Sequence, residues 1–180
     1  MVTTLTSLSE TLTLTGQGSY TGASGLGQAA GSLNVPGGLW SAMQAQLTFG
    51  SGSGQANQVY IAQRTVAAAA DDNLGLNGGG LLSPVGDVIA FTKVKLILVA
   101  IEAPDGTKKL NVGPNGVANA APLSFGGVAA GAYKVVTNWD VIALEPVAGY
   151  TITAGTGDLL PIHNPGAASV VYDVLVMGIG

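Results

Sequence analysis

The chain has 180 residues, a net charge of −4 at pH 7 and a charged fraction of only 9%. An average soluble domain is about 25% charged, so this sequence is unusually poor in charge. It contains no cysteine, which excludes disulfides and thiol chemistry. Its six basic residues are too few and too scattered to neutralise a nucleic-acid backbone, so we expect no nucleic-acid partner.

The hydropathy of the chain is high, with a mean value of +0.45. The longest aliphatic run, residues 96–101, is far shorter than the roughly 20 residues of a membrane-spanning helix, so we expect no membrane partner. Residues 1–10 lack the basic and continuously apolar stretches of a signal peptide. The remaining explanation is that apolar surface is buried between chains of an assembly.

Residues 1–37 differ from the rest of the chain. Thr and Ser first alternate with leucines, among them Leu5, Leu12 and Leu14, and a Gly-rich stretch follows over residues 16–38. Alternation of this kind is typical of strands, and repeated Gly indicates irregular or mobile backbone. The pattern therefore predicts an extended N-terminal arm.

The same residues have a second interpretation. The two Thr- and Leu-rich stretches can be the first hairpin of the following domain, with Ser9 and Glu10 at the turn. The segment is extended under either interpretation. We divide the chain into an arm over residues 1–37 and a β-sandwich, jelly-roll-like domain over residues 38–180.

Short strand patterns follow one another beyond residue 38, separated by Gly, Pro, Asn and Asp. This spacing favours an all-β sandwich or jelly roll over βαβ units. Asp105 and Gly106 predict a hairpin turn, while residues 38–46 and the alanines at 67–70 are compatible with a single turn of helix. The predicted strands cover residues 43–49, 58–69, 73–76, 87–91, 93–102, 109–112, 133–145, 150–153, 158–163 and 169–177.

The two clearest strands, at 93–102 and 169–177, are apolar on both faces. A strand covered on only one side carries polar residues on the other, so this pattern predicts central strands with something packed on each side. A second sheet accounts for one side. The predicted faces are Val94, Leu96, Leu98 and Ala100 opposite Ile97, Val99 and Ile101, and Val170, Tyr172, Val174 and Val176 opposite Val171, Asp173, Leu175 and Met177.

The sequence predicts no catalytic, metal or cofactor site. His163 is the only histidine and has no second ligand at zinc-like spacing. Ser124 and His163 with Asp140 or Asp158 supply the residue types of a catalytic triad, but no nucleophile elbow accompanies them. The glycine loop at 50–54 lacks the Gly-Lys-Ser/Thr ending of a phosphate loop. We expect a protein that is not an enzyme; a hydrolase would require His163 beside a nucleophile and a carboxylate.

The two tryptophans and the only arginine are the candidates for positions in a core or an interface. Trp139 shares a strand face with Val141 and Ala143, which predicts a core position, whereas Trp40 at the edge of the arm favours an interface. Arg64, the only arginine, lies within a predicted strand, where a guanidinium is often an ion-pair or subunit-contact residue. The candidate interface residues are Leu5, Leu12, Leu14, Trp40 and Arg64.

Two parts of the chain carry a resemblance to known proteins. They read LTFGSGSGQANQVY at 47–60 and RTVAAA at 64–69, then GYTITAGTGDLL at 149–160, NPG at 164–166 and VVYDVLVMG at 170–178. Together these segments resemble small virion structural proteins of tailed bacteriophages. The resemblance covers about residues 44–180, excludes the arm and brings no catalytic residues with it.

What the resemblance implies is a jelly-roll or related β-sandwich subunit of a virus particle, such as a capsid decoration (cement) protein. Such a protein oligomerises and bridges major capsid protein subunits, which stabilises the phage head. We expect a homo-oligomer, with a trimer as the working assumption, made in the host cytoplasm and located on the capsid surface of the virion. Residues 1–37 would reach an adjacent chain. The alternative is a tail or fibre-base component that binds a receptor or glycan.

Overall fold

The computed structural model describes residues 18–24, 27–33, 47–83, 86–125 and 129–180. This part of the chain is all-β, as the sequence predicts, apart from the single 3-10 turn η1 (Leu123–Phe125). The strands are β1 (Gly18–Ser24), β2 (Gly27–Leu33), β3 (Thr48–Phe49), β4 (Gln55–Ala56), β5 (Gln58–Val66), β6 (Asp71–Gly75), β7 (Asn77–Leu82), β8 (Val88–Ala90), β9 (Lys93–Ile101), β10 (Leu110–Val112), β11 (Lys134–Val136), β12 (Trp139–Leu144), β13 (Tyr150–Thr151), β14 (Leu159–His163) and β15 (Val170–Ile179).

Strands β1 and β2 form an antiparallel hairpin, in which the residues of one strand pair one to one with those of the other. The prediction of irregular backbone in this Gly-rich stretch is wrong for both strands. A β-ladder is made by backbone N–H and C=O groups, which glycine also carries. Four of the predicted interface residues lie outside the described residues, namely Leu5, Leu12, Leu14 and Trp40.

Eight strands form two packed sheets in the order of a jelly roll. One sheet runs β12-β9-β15-β5, with β13 also beside β9, and the other runs β11-β10-β14-β6. Along the chain, the first of the eight pairs with the eighth (β5–β15), the second with the seventh (β6–β14), the third with the sixth (β9–β12) and the fourth with the fifth (β10–β11). A long antiparallel ribbon is thus rolled up and closed by the pairs β9–β15 and β10–β14. The predicted β-sandwich of jelly-roll type is confirmed.

The chain crosses between the two sheets at both side edges of the roll. Strand β5 leads into β6 through residues 67–70, and β11 leads into β12 through residues 137–138. The alanines at 67–70 form a turn in which Ala69 has φ 52° and donates its N–H to the carbonyl of Gly166. Four residues between two strands leave no room for a helix. The predicted strand at 133–145 is divided because its halves belong to different sheets.

Asp105 stabilises a turn between β9 and β10, which lie in different sheets, so the hairpin predicted there is wrong. Its carboxylate accepts hydrogen bonds from the hydroxyl and N–H of Thr107 and from the N–H of Lys108. These bonds, led by that of the hydroxyl, lower the pKa of Asp105 to about 2. Local sequence thus identified the turn but not the strands that it joins.

The glycines at 78–80 lie within β7, in an interval for which the sequence predicts no strand. The backbone at Gly79 lies very close to the backbone at Gly75, because a Cβ built on Gly75 would lie only 2.5 Å from the Cα of Gly79. Glycine here therefore permits two backbone segments to meet rather than marking the end of a strand.

The main core lies between the two sheets. The face of β15 that carries Val170, Tyr172, Val174 and Val176 points into it, which confirms that predicted face. Each large apolar side chain buried in this way stabilises the fold by roughly 1.5–3 kcal/mol. The facing sheet contributes Leu74, Leu110, Val112, Leu160 and Ile162.

A second apolar cluster, which we call the outer cluster, lies on the other face of the five-stranded sheet. The prediction that the central strands are covered on both sides is therefore confirmed. Its buried members are Val59, Leu96, Leu98, Ala100, Leu175 and Met177 of the sheet, together with Leu47 and Ala56.

Lys95 occupies a β-bulge in β9. Val94 and Leu96 pair with consecutive residues of β15, so Lys95 is the additional residue between them. The bulge places Val94 in the main core and Leu96 in the outer cluster, and the prediction that these two share a face is wrong. Burial lowers the pKa of Lys95, whose amine donates to the carbonyls of Pro146 and Val147.

A second irregularity changes the environment of Trp139. The register of β12 against β9 shifts between Val141 and Ala143. Trp139 and Val141 are therefore half-buried against the outer cluster, whereas Ala143 joins the main core. The prediction that Trp139 lies in the core with both residues is wrong, because strict alternation does not continue past the shift.

Candidate functional site

Arg64 forms an ion pair with Asp72 across the edge of the sandwich. Arg64 lies on β5, the edge strand of one sheet, and Asp72 on β6, the edge strand of the other. Nε of the guanidinium lies 2.7 Å from one carboxylate oxygen and Nη2 lies 2.7 Å from the second. This two-point geometry is the strongest that arginine makes with a carboxylate. The ion-pair interpretation of Arg64 is confirmed, and its role as a subunit contact stays a prediction.

Two tyrosines complete this network. The hydroxyl of Tyr172 donates to Asp72 at 2.8 Å, and Nη1 of Arg64 donates to the hydroxyl of Tyr60 at 3.1 Å. Burial alone would raise the pKa of Asp72, but the hydrogen bonds from Arg64 and Tyr172 outweigh it and lower the pKa. The bond to Asp72 raises the pKa of Arg64, and burial raises that of Tyr172. At neutral pH the pair is therefore charged and the Tyr172 phenol protonated.

His163 pairs with the neighbouring aspartate on the opposite face of β6. Its Nδ1 lies 2.7 Å from Oδ1 of Asp71, the residue directly across from it in the ladder. Successive side chains of a strand point to opposite faces, so the carboxylates of Asp71 and Asp72 lie on opposite sides of the sheet. The His163–Asp71 pair and the Arg64 network are consequently separated by the sheet and do not form one site.

The residues weighed for a catalytic triad do not come together. The hydroxyl of Ser124 donates to the carbonyl of Ile142 on β12, at one side edge of the roll. His163 lies beside β6, near the opposite side edge. Asp140 accepts from a lysine of β11, and Asp158 accepts from a backbone N–H in its own loop. Each of these groups has its own local partner.

Exposed large apolar side chains occur in three places on the described surface. Such side chains are the natural candidates for subunit contacts when they group together. Val88 is the most exposed of them, at 68%. The three places hold Leu82 and Val88, which pair across the β7–β8 hairpin, Tyr133 and Val135 at the edge strand β11, and Leu144 and Val147 around the end of β12.

Among the residues that the structure describes, no three His, Cys, Asp or Glu side chains are grouped so that they could hold a metal ion. Within the same ranges no helix has the length and apolar character needed to cross a membrane. Comparison with protein-family models, curated proteins and solved structures finds no match.

Sequence reasoning found Arg64 but missed Asp72 and Tyr172 as parts of its network. The sequence predicts that this strand begins at residue 73, which leaves Asp72 outside it. The missed signal was alternation, because Asp72 lies on the same strand face as the buried Leu74. A carboxylate on an inward face requires a partner, and Arg64 is the only arginine in the chain.

Proposed function

We propose that the protein is a virion structural protein, specifically a capsid decoration (cement) protein that forms a homo-oligomer and bridges major capsid subunits of a tailed bacteriophage. The observation that carries this proposal is the strand order of an eight-stranded jelly roll, an architecture used repeatedly in viral capsid domains. Lectins and cupins use it as well, and a fold does not imply a function. The low charge and the resemblance of the five quoted segments between residues 47 and 178 to phage proteins favour the virion.

The surface of the molecule supports a role in contacts rather than in chemistry. The large exposed apolar side chains of the described residues are distributed over three places, and the polar clusters there have local partners. A decoration protein works by adding buried area between capsomers. Several weak contacts made by one oligomer then act together, because the second and third contacts become intramolecular once the first has formed.

The Arg64 network fits this proposal as a source of rigidity. Two hydrogen bonds from the Arg64 guanidinium to the Asp72 carboxylate join the edge strands β5 and β6, which belong to different sheets. A clamp between capsid subunits transmits force only if its two layers do not slide over each other. In the proposal Arg64 therefore acts inside the subunit, while residues 1–37 reach an adjacent chain.

The first experiment is a mass measurement on the purified full-length chain by size-exclusion chromatography with light scattering. The proposal predicts an oligomer, with a trimer as the working assumption, and a chain that stays monomeric at high concentration would remove its main support. Val88→Asp and Val147→Asp are expected to weaken assembly without changing the free energy of unfolding. Thr65→Asp, at an exposed position of β5, is the matched control.

The second experiment counts copies in the particle by electron cryomicroscopy. Hundreds of copies spread over the head would support decoration. A dozen or fewer copies at one vertex would instead assign the protein to the tail or fibre base, with receptor or glycan binding as its function. Absence from purified particles would reject both virion assignments.

A further inference from the structure

The turn at residues 145–149 is built around Lys95. Strand β12 ends its pairing with β9 opposite Leu96, and β13 resumes that pairing opposite Val94. Lys95, the additional residue of the bulge, is the one residue of β9 between these two positions. The chain therefore leaves β9 and returns to it directly beside Lys95.

The amine of Lys95 links this turn to the glycine loop at residues 50–54. It donates to the carbonyls of Pro146 and Val147, and the carbonyl of Pro146 also accepts the N–H of Gly54 at 2.8 Å. A carbonyl oxygen has two lone pairs, so both lone pairs of Pro146 are used. The turn and the glycine loop are thus joined through one carbonyl group, and Lys95 is one of its two donors.

Packing alone does not account for a lysine at this position. Lys95 is 1% exposed, and its amine donates to backbone carbonyls and to no carboxylate of the described residues. Burying a charge without a directly bound counter-ion costs free energy, and burial accordingly lowers the pKa of Lys95. A methionine would fill a similar space without that cost. What the lysine adds is a set of N–H donors at the end of a long stem, which the carbonyls of the turn accept.

The turn and the glycine loop present an exposed surface of low charge. Val147 is 62% exposed and Leu144 is 38% exposed, and residues 51–53 of the glycine loop are exposed as well. Glu145 is the one ionisable residue of the turn and the loop, and its carboxylate accepts a backbone N–H of the turn itself. The whole chain carries a charge of −4, so two copies repel each other where charged surfaces of the same sign meet. Identical copies can therefore approach each other most readily at a surface such as this one.

We propose that the glycine loop and the turn at residues 145–149 form one contact surface for a second copy of this chain, and that Lys95 is the positioning residue that holds this surface in shape. The contact with a second copy rests on the proposed homo-oligomer, whereas the action of Lys95 inside the subunit does not. Leu144 and Val147 supply the apolar area of the contact. Holding the turn in place beforehand favours binding, because ordering a mobile loop at an interface costs free energy.

Lys95→Met in the full-length protein tests the action inside the subunit, because it keeps a long stem and removes the donors. Both proteins compared also carry Val147→Ser, which weakens the contact between copies, so that amide hydrogen exchange reports on the turn alone. We expect about tenfold faster exchange at Gly54 and Gly149, the loss of about one hydrogen bond, with unchanged rates in the β9–β15 ladder. Lys134→Met, which removes an amine bound to Asp140, is the matched control and should leave both loops as they are.

Two results would overturn the action of Lys95. Unchanged exchange in both loops would show that it does not hold them, and equal acceleration in the β9–β15 ladder would make it an ordinary residue of the core. Labelling of the wild-type amines with an N-hydroxysuccinimide ester decides the point even if the Lys95 variant fails to fold. Lys95 should react several-fold more slowly than the exposed Lys109, and equal rates would reject a held amine.

The mass of the assembly tests the contact surface. At one protein concentration, Val147→Asp and Lys95→Met should each lower the mass measured by light scattering, whereas Thr65→Asp should keep that of the wild type. An oligomeric wild type whose mass neither variant changes would overturn this contact surface and leave the proposed function standing. A wild type that is itself monomeric would reject the contact together with the proposed homo-oligomer.

Discussion

Replacement of Asp72 by asparagine tests whether the Arg64 network holds the two sheets together. The substitution keeps the shape of the side chain but removes the charge that faces the guanidinium. Exposed ion pairs contribute about 0.2–1 kcal/mol, and breaking a buried pair costs about 3–5 kcal/mol. The side chains of Arg64 and Asp72 are 34% and 14% exposed, so this pair lies between the two cases. We expect a loss of about 2 kcal/mol in the free energy of unfolding, or about 4–8 °C in Tm.

A double-mutant cycle with Arg64→Met separates the pair from its surroundings. Urea unfolding of both single variants and the double variant should give a combined loss at least ~1 kcal/mol smaller than the sum, because the second substitution no longer breaks a pair. Additivity within about 0.5 kcal/mol would refute the proposed coupling. Asp71→Asn is the matched control, since Asp71 is 55% exposed on the opposite strand face, and it should cost under about 1 kcal/mol.

The same variant has a defined pH dependence. The folded-state pKa of Asp72 lies below its value in the unfolded chain, which is about 3.9 for an ordinary aspartate. The stabilisation from this group is therefore complete above the unfolded pKa and is lost as the pH falls through the folded pKa. The difference in unfolding free energy between the wild type and Asp72→Asn should be constant near neutrality and shrink below about pH 4. A difference that stays constant into strong acid would contradict the ion pair.

Three further predictions concern stability and titration. Asn164→Ala should lower the free energy of unfolding, measured by urea unfolding, by about 3 kcal/mol, because the two N–H groups of the fully buried amide are shared among three backbone carbonyls that would lose their donor. Gly178→Ala should lower Tm, since the added Cβ would collide with the carbonyl of Lys93, whereas Gly157→Ala, with no contact closer than 3.9 Å, should not. An NMR titration of Asp105 should give a pKa of about 2, and an ordinary aspartate value would contradict the turn hydrogen bonds.

The regular parts of the fold followed from the sequence because their patterns are local. Strand β15 alternates without interruption, so both of its faces were predicted correctly from side-chain direction alone. The two-sided burial of β9 and β15 also followed, since a strand without polar residues on either face must be covered twice. The jelly-roll order is different. It depends on which distant strands pair, and the sequence indicated only the class of architecture.

The errors lie where one residue changes the direction of those that follow it. The bulge at Lys95 transfers Val94 to the other face, and the shift after Val141 removes Trp139 from the core side. Neither irregularity carries a Gly or Pro that would indicate it beforehand. The Arg64–Asp72 pair was missed for a related reason, because an error of two residues in a strand boundary removed Asp72 from the inward face. An error of one or two residues leaves a predicted strand recognisable, but it moves side chains to the wrong face and so changes their predicted partners.

The two apolar clusters account for much of the high hydropathy of the chain. Most large apolar side chains of the described residues are used inside the subunit, in the core between the sheets or in the outer cluster. The exposed ones are confined to three small places at hairpins and edges. Two large apolar side chains at each place are fewer than the large apolar interfaces of obligate oligomers contain. If the protein decorates a capsid, the described surface therefore predicts several weak contacts made together. Binding by a subunit with so few ionised side chains is not expected to depend strongly on salt concentration.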